Sequence, residues 1–277
     1  MKVRRIGEAS NPGPDAVPGQ VNIMTINVTS FVLHEELLKD HPRSVIFFQE
    51  HNMKQGLAAA MKVRLRAEGW IMHAGPAQQD GPHVHAGVGC MYKQDVGAQA
   101  LPRKIAAESL QTYYDQGRVA KYLLACGNQA MYVYVAYGYT CGHTKKPQAD
   151  KTDRMLQAVM VDWEIEGKPR AMVLGDLNAE PEDLPGWHAM SGEQAWVDAG
   201  GMPCAKEEGG TPKGTCKAQG STVYRRRDYA FLSPRAVGTL EAFSVDYQDA
   251  FPVHAPIHLS VRMGKRQITR SLKKYPP

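Results

Sequence analysis

From residue 21 the chain is apolar and β-branched as far as residue 28, and a second such run covers residues 44–49. The stretch between them is polar and partly helical in spacing, so the order strand, helix, strand is expected. Leu57, Met61 and Leu65 recur every four residues, which puts one apolar face on a helix over residues 53–68. Short apolar runs predict strands at 87–92, 118–126 and 130–139. Leu156, Val159, Met160 and Trp163 fall at helical spacing, predicting a helix that Thr152 or Asp153 caps and that ends near Glu164. Residues 170–174 read as a buried strand running into Gly175 and Asp176. The Gly-, Pro- and Lys-rich stretch 198–222 predicts a long surface loop, and strands resume at 222–232, 239–247 and 257–263. Many short strands with few long helices point to two sheets packed face to face and flanked by helices.

Residues 7–20 hold Gly7, Asn11, Pro12, Gly13, Pro14, Pro18 and Gly19, too many breakers for regular structure. The expected organisation is therefore a disordered leader over 1–20, one domain over 21–263 and a basic tail over 264–277. Asn11–Pro14 resembles the end of ribosome-skipping 2A-like peptides, but the acidic spacing expected upstream is missing and a Pro/Gly turn is the simpler account.

The 277 residues carry a formal charge of +5, but the ends hold the excess: without residues 1–20 and 262–277 the body has 24 basic against 26 acidic side chains. The basic end is suited to phosphates or is simply a solvated terminus. No apolar run is long enough to span a bilayer and the first residues lack a secretory apolar stretch, so an intracellular location, the nucleus included, is expected. Cys90, Cys126, Cys141, Cys204 and Cys216 form a scattered odd set without a CxxC pair, read as reduced thiols rather than disulfides or a thiolate zinc site.

Several polar residues stand where an apolar run stops. Asn27 closes one, Glu50 another, Asp176 with Asn178 a third; Asp228 follows Arg225, Arg226 and Arg227, and His254 precedes the last strand. Each alone has a plain structural account, as a turn former, a solvated strand end or a loop histidine. Together they offer carboxylate and amide oxygens and one imidazole, a set suited to Mg²⁺ and phosphodiester hydrolysis rather than to zinc.

The blocks NIMTINVTS, FFQEHN, GVGCMYK, GRVA, VYVAYGYT, VLGDLN, YRRRDYAFLS and VHAPIHLSV run from Val21 to Val261 in the order found in the endonuclease/exonuclease/phosphatase superfamily. The sequence resembles that superfamily, which includes DNase I, apurinic endonucleases and the endonucleases of non-LTR retrotransposons; the last are the nearest in style. The resemblance implies a DNase I-like α/β fold, a four-layered sandwich of two mainly antiparallel sheets between helices. It implies Glu50 as the principal metal carboxylate with Asn27 in support, and Mg²⁺, or Mn²⁺ in its place, as the cofactor. Asp176 would align or deprotonate the attacking water, and Asn178 would donate to the phosphoryl oxygens. His254 would act on the scissile phosphate, with Asp228 orienting its ring. Tyr137 would be the phosphate-contacting tyrosine, Tyr134 being the alternative.

Two departures stand out. Where the superfamily ends in Ser-Asp-His, Pro252 and Val253 precede His254, so a carboxylate near the cation is replaced by an apolar side chain, with Asp249 the nearest acid upstream. The tyrosine block has Ala136 and Tyr139 in place of the usual proline and asparagine pattern. The implied function is a Mg²⁺-dependent phosphodiesterase, a monomeric endonuclease that nicks DNA. The alternatives are a phosphatase or phosphodiesterase acting on inositol phosphates, lipids or nucleotide adducts, and a nucleic-acid-binding relative with a weakened site.

Overall fold

Val21 and Ile23 point to one side of their strand and Met24, Ile26 and Val28 reach the other, and all are buried, which is why this strand reads as a nearly unbroken apolar run. The computed structural model describes residues 19–41, 45–94, 97–205, 214–218, 221–247 and 251–263. The leader's breaker-rich part to residue 18, Asp249 and the tail from residue 264 lie outside the described residues.

The first half runs β1 (Gln20–Asn27), α1 (Phe31–Asp40), β2 (Val45–Gln49), α2 (Gln55–Ala67) and β3 (Trp70–Ala74). Then come β4 (Gln78–Asp80), β5 (His83–His85), β6 (Val88–Lys93), β7 (Ala98–Pro102), α3 (Glu108–Asp115) and β8 (Val119–Cys126). The second half runs β9 (Gln129–Tyr137), α4 (Lys146–Ile165), β10 (Ala171–Asp176), α5 (Pro185–Gly192) and β11 (Val197–Asp198). It ends with β12 (Cys216–Lys217), β13 (Tyr224–Arg225), β14 (Asp228–Leu232), α6 (Pro234–Val237), β15 (Leu240–Val245) and β16 (Ile257–Arg262).

Two six-stranded sheets result, ordered β15-β16-β1-β2-β6-β3 and β11-β14-β10-β9-β8-β7. Each is antiparallel except for one parallel pair, β1 with β2 and β9 with β10. Ile23, Phe47 and Val88 of the first sheet meet Val133, Leu174 and Ala230 of the second in the central core. Phe31, Leu38, Met61 and Leu65 of α1 and α2 cover the first sheet's outer face. Leu156, Val159 and Trp163 of α4 cover the second's. The fold is thus the four-layered α/β sandwich that the resemblance implies.

The parallel pairs position the site. β1 and β2 run side by side and finish together, with Asn27 opposite Gln49, and β9 and β10 finish together with Tyr137 opposite Asp176. Asp228 opens the antiparallel neighbour β14 directly opposite Asp176. All these ends share one edge of the sandwich.

Several expectations are corrected. The helix expected from Thr152 begins earlier, at Lys146, with Pro147 in its first turn. Thr152 and Asp153 use their cap-forming oxygens on tertiary partners instead: Thr152 Oγ1 accepts the Tyr139 N–H at 2.9 Å, and Asp153 Oδ1 accepts the Gly186 N–H at the start of α5. The strand expected over 222–232 is broken after Arg225, where β13 leaves to pair with β12. Arg226 and Arg227 turn their side chains inward and pair with Asp198 and Glu180. β3, β7 and α3 carry no clear period in sequence and escaped the pattern reading.

Candidate active site

Gly175 shows how the GDLN segment is built. Its φ is +140°, and a Cβ there would lie 2.0 Å from the Ala136 carbonyl oxygen, so only glycine lets β10 approach β9 this closely. The next residue, Asp176, is thereby held at the sheet edge, 1% exposed. Its Oδ1 accepts the backbone N–H of Asn178 at 2.8 Å and its Oδ2 accepts the Asn27 side-chain amide from the other sheet at 2.9 Å. Asn27 Oδ1 accepts in turn from the Thr29 N–H at 2.9 Å, which fixes which way the amide faces.

The second half of the group comes from β14 and the segment before β16. Asp228 Oδ2 accepts from His254 Nδ1 at 2.8 Å, and the other ring nitrogen, Nε2, stands 3.8 Å from Asp176 Oδ2. Asp176, Asp228 and His254 are all buried and offer ligand atoms within 4.8 Å of one another, a grouping able to hold a metal ion. Thr215 secures the pair: its Oγ1 accepts the backbone N–H groups of Arg227 and Asp228 at 3.0 and 2.9 Å, and its carbonyl accepts from the Ala255 N–H at 2.7 Å.

The electrostatics follow from burial and charge proximity. Burial, then the neighbouring Asp228 carboxylate, pushes the Asp176 pKa up to about 7. Burial disfavours the His254 imidazolium, but Asp228, the Cys216 sulfur and Asp176 together outweigh it and leave the pKa well above the ordinary 6.5. The Asp176 carboxyl, its pKa raised, thus faces an imidazole whose charged form the two carboxylates favour.

Glu50 follows β2 with φ 58°, a left-handed conformation that the flanking contacts enforce. The His51 N–H bonds to the Gly87 carbonyl and the Asn52 N–H to Ala86, both at 3.1 Å. The His51 ring lies over Gly87, where a Cβ would come within 2.3 Å of it, which accounts for the first glycine of the GVGC block. Burial lowers the His51 pKa to about 4, so this ring is a neutral buttress. Glu50 is half-buried, and both it and Asp176 act electrostatically on Tyr137, whose phenol pKa is raised by burial first and these carboxylates next. Tyr134 is excluded as the alternative because it faces the opposite layer, its hydroxyl donating to Asp162 at 2.8 Å.

Asn27, Asp176, Asn178, Asp228 and His254 are therefore joined by direct contacts; Tyr137 stands opposite Asp176 across β9 and β10, and Glu50 is linked to the group through the effect of its charge on Tyr137. The Asn178 side chain is half-buried with φ 53° and makes only a long 3.4 Å bond to the Gly138 carbonyl. Val253, before His254, contributes its carbonyl to the Lys217 N–H at 3.0 Å and no ligand atom from its side chain. Three participants were missed in sequence: Thr215, Cys216 and Arg118. The first two lie in the Gly- and Lys-rich stretch with no periodic signal. Arg118 belongs to the GRVA block; its guanidinium stacks between the rings of Tyr137 and Tyr139, at 4.8 and 4.6 Å. Beyond Tyr139 a groove of about 720 Å³ opens between α3 and α4, with Tyr113, Lys151 and Arg154 in its wall.

The sequence profile of the Endonuclease/Exonuclease/phosphatase family matches residues 24–253, a span that takes in Asn27, Glu50, Asp176 and Asp228. The chain belongs to this family. Its members are phosphodiester hydrolases, nucleases and phosphatases among them, and are generally dependent on divalent metal. No curated protein sequence matches the chain. Among solved structures, it is similar to a 3′ phosphatase from Neisseria bound to product DNA hairpin, with 18% identity, TM-score 0.63, and coverage of 86% of this chain and 98% of that one. An AP endonuclease from Archaeoglobus fulgidus matches at 15% identity, TM-score 0.62, with 86% and 98% covered. The APE2 catalytic domain of Xenopus laevis matches at 16% identity, TM-score 0.66, with 87% and 92% covered. At these identities the likeness establishes the fold of the family. Among the described residues no helix is long and apolar enough to cross a membrane.

Proposed function

We propose that this protein is a divalent-metal-dependent phosphodiesterase that cuts a nucleic-acid backbone, acting as an endonuclease that nicks DNA. The observation that carries the reading is the buried group Asp176, Asp228 and His254, tied across the two sheets by Asn27. The donor set fits a hard cation by its chemistry, being carboxylate and amide oxygens, and Asp228 Oδ1 is a buried oxygen without a hydrogen-bond partner. Glu50, supported by Asn27, would hold Mg²⁺ or Mn²⁺. When bound, such an ion neutralises phosphate charge and polarises the phosphoryl oxygens.

The remaining steps belong to the protein's own groups. Asp176, with a pKa near 7 and both oxygens fixed by hydrogen bonds, orients the attacking water and takes its proton. His254, charged and aligned by Asp228, donates from Nε2 to the phosphoryl oxygens as negative charge grows there. Asn178 offers a second amide donor, and Tyr137 closes the site beside Glu50. The aromatic and basic groove past Tyr139 suits an extended polyanion better than a compact headgroup: Tyr113, Lys151 and Arg154 can take the strand beyond the cut.

The test is conversion of supercoiled plasmid to open circles in Mg²⁺. EDTA, Glu50→Ala and His254→Ala should each abolish it. Plasmid binding without cutting in Mg²⁺ or Mn²⁺ would sink the catalytic reading in favour of the weakened-site relative. Hydrolysis confined to phosphoinositides or to terminal 3′ phosphates would move the substrate assignment away from internal phosphodiesters.

A further inference from the structure

On the outer face of the first sheet, away from the site described above, three side chains that are distant in sequence come together. His258 lies on β16 between Ile257 and Leu259, which belong to the central core, so its ring points to the opposite face, alongside its cross-strand partner Met24. It is 6% exposed. His41 directly follows α1, with its N–H on the Leu38 carbonyl. Asp246 directly follows β15, with its N–H on the Pro256 carbonyl at 3.0 Å. The rings of His41 and His258 have centroids 4.8 Å apart and meet at 62°. One ligand atom from each of the three residues lies within 4.8 Å of the other two.

We propose that His41, Asp246 and His258 form a second metal site, one that takes Zn²⁺ and ties the end of α1 to the hairpin carrying His254. Two imidazoles and one carboxylate suit a borderline transition metal; Mg²⁺ would prefer oxygen donors alone. Tetrahedral coordination at zinc bond lengths sets ligand atoms roughly 3.4 Å apart. Closing from 4.8 Å requires the side chains to move together; His41 and Asp246 are half-buried and stand at the ends of their elements. Water completes the fourth position. Asp246 and His258 bracket the segment that holds His254, so an ion fixed here restrains the base of that segment without touching the reacting phosphate. The sequence held no hint of it, because each of the three residues stands alone among neighbours of other types.

The experiment is titration of the untagged, metal-stripped full chain with Zn²⁺, and with Co²⁺ as a spectroscopic stand-in. The expected result is a tightly bound equivalent with the visible absorption of tetrahedral Co²⁺ and a thermal unfolding midpoint that climbs with Zn²⁺ concentration. That equivalent should disappear, or weaken by more than roughly 10- to 100-fold, in His41→Gln and in His258→Gln, and persist in Glu50→Gln and Asp176→Asn. Far-UV circular dichroism establishes that the variants fold, and His41→Gln, at a half-buried helix end, keeps the test decisive if His258→Gln does not. Absence of the Co²⁺ absorption in the parent protein would overturn the proposal. So would an equivalent that survives both histidine substitutions or is lost with Glu50→Gln. These outcomes are independent of plasmid cutting, so the site can fail while the nuclease reading stands, and the reverse.

Discussion

Replacing Asp228 by asparagine keeps the shape of the site and removes one charge, which makes it a sensitive probe of how His254 works. In the parent, the carboxylate accepts from His254 Nδ1 at 2.8 Å with both residues almost wholly buried, and it outweighs the burial that opposes the imidazolium. Leaving a buried charge without its partner costs about 3 to 5 kcal/mol, so the ring will neutralise rather than bear that cost. Asparagine can still accept from Nδ1–H, but in the neutral ring that tautomer leaves Nε2 without a proton to donate. We expect a loss of roughly 10²- to 10⁴-fold in kcat at neutral pH, the usual worth of a positioned proton donor. The alkaline limb of the pH profile should move. The alkaline limb falls because the His254 pKa drops back toward the ordinary imidazole range. The acid limb carries two opposed effects, because Asp228 raises the Asp176 pKa and the charged His254 lowers it, so the alkaline limb is the one that reports on the pair. Initial rates of plasmid nicking across both limbs, with the His254 ring titrated by NMR, provide the measurement. A variant whose alkaline limb stays in place, or whose rate drops by less than a few-fold, would refute the role assigned to the pair.

Asp176→Asn should lower turnover by several orders of magnitude with little cost to the fold. Because the folded pKa of Asp176 is raised from 3.8 to about 7, the native state holds a proton that the unfolded chain releases, and this residue's contribution to stability falls as pH rises between those values. Urea unfolding should therefore show the variant gaining on the parent across that window. Thr215→Val removes the acceptor for two buried N–H groups and should cost about 2 to 4 kcal/mol by the same assay, with kcat falling more than KM changes. Gly175→Ala forces a Cβ into the Ala136 carbonyl and should destabilise by at least about 1 to 3 kcal/mol; an unchanged denaturation midpoint would mean β9 and β10 are less closely packed than described. Val253→Asp, which restores the superfamily's carboxylate beside His254, should leave nicking equal or raised, and a large loss would mean this segment is used differently.

The central strands β1, β2, β9 and β10 were legible because both of their faces are buried, and burial on both faces writes a continuous apolar run into the chain. α2 was legible for the opposite reason: only one stripe of it is buried, so Leu57, Met61 and Leu65 stand out at helical spacing. Even there Leu57 ends up exposed, and Ala58 takes its place against the sheet. The start of α4 was not legible, because Thr152 and Asp153 carry cap-forming oxygens that only the folded chain assigns to Tyr139 and to α5. At the site, the ends of apolar runs marked Asn27, Glu50, Asp176, Asn178, Asp228 and His254 as candidates; each alone has a plain structural account, and only the combination and the family's block order pointed to a site. The choice of Tyr137 over Tyr134 came from the resemblance and not from the residues themselves. Which tyrosine faces Glu50 depends on how β9 alternates against α4 on one side and β2 on the other. Nor could the sequence reveal that Thr215 holds Asp228, or that His41 meets His258 across β1. Those contacts join residues far apart along the chain, and their distances are set by the packing of layers, a quantity no local pattern of side chains encodes.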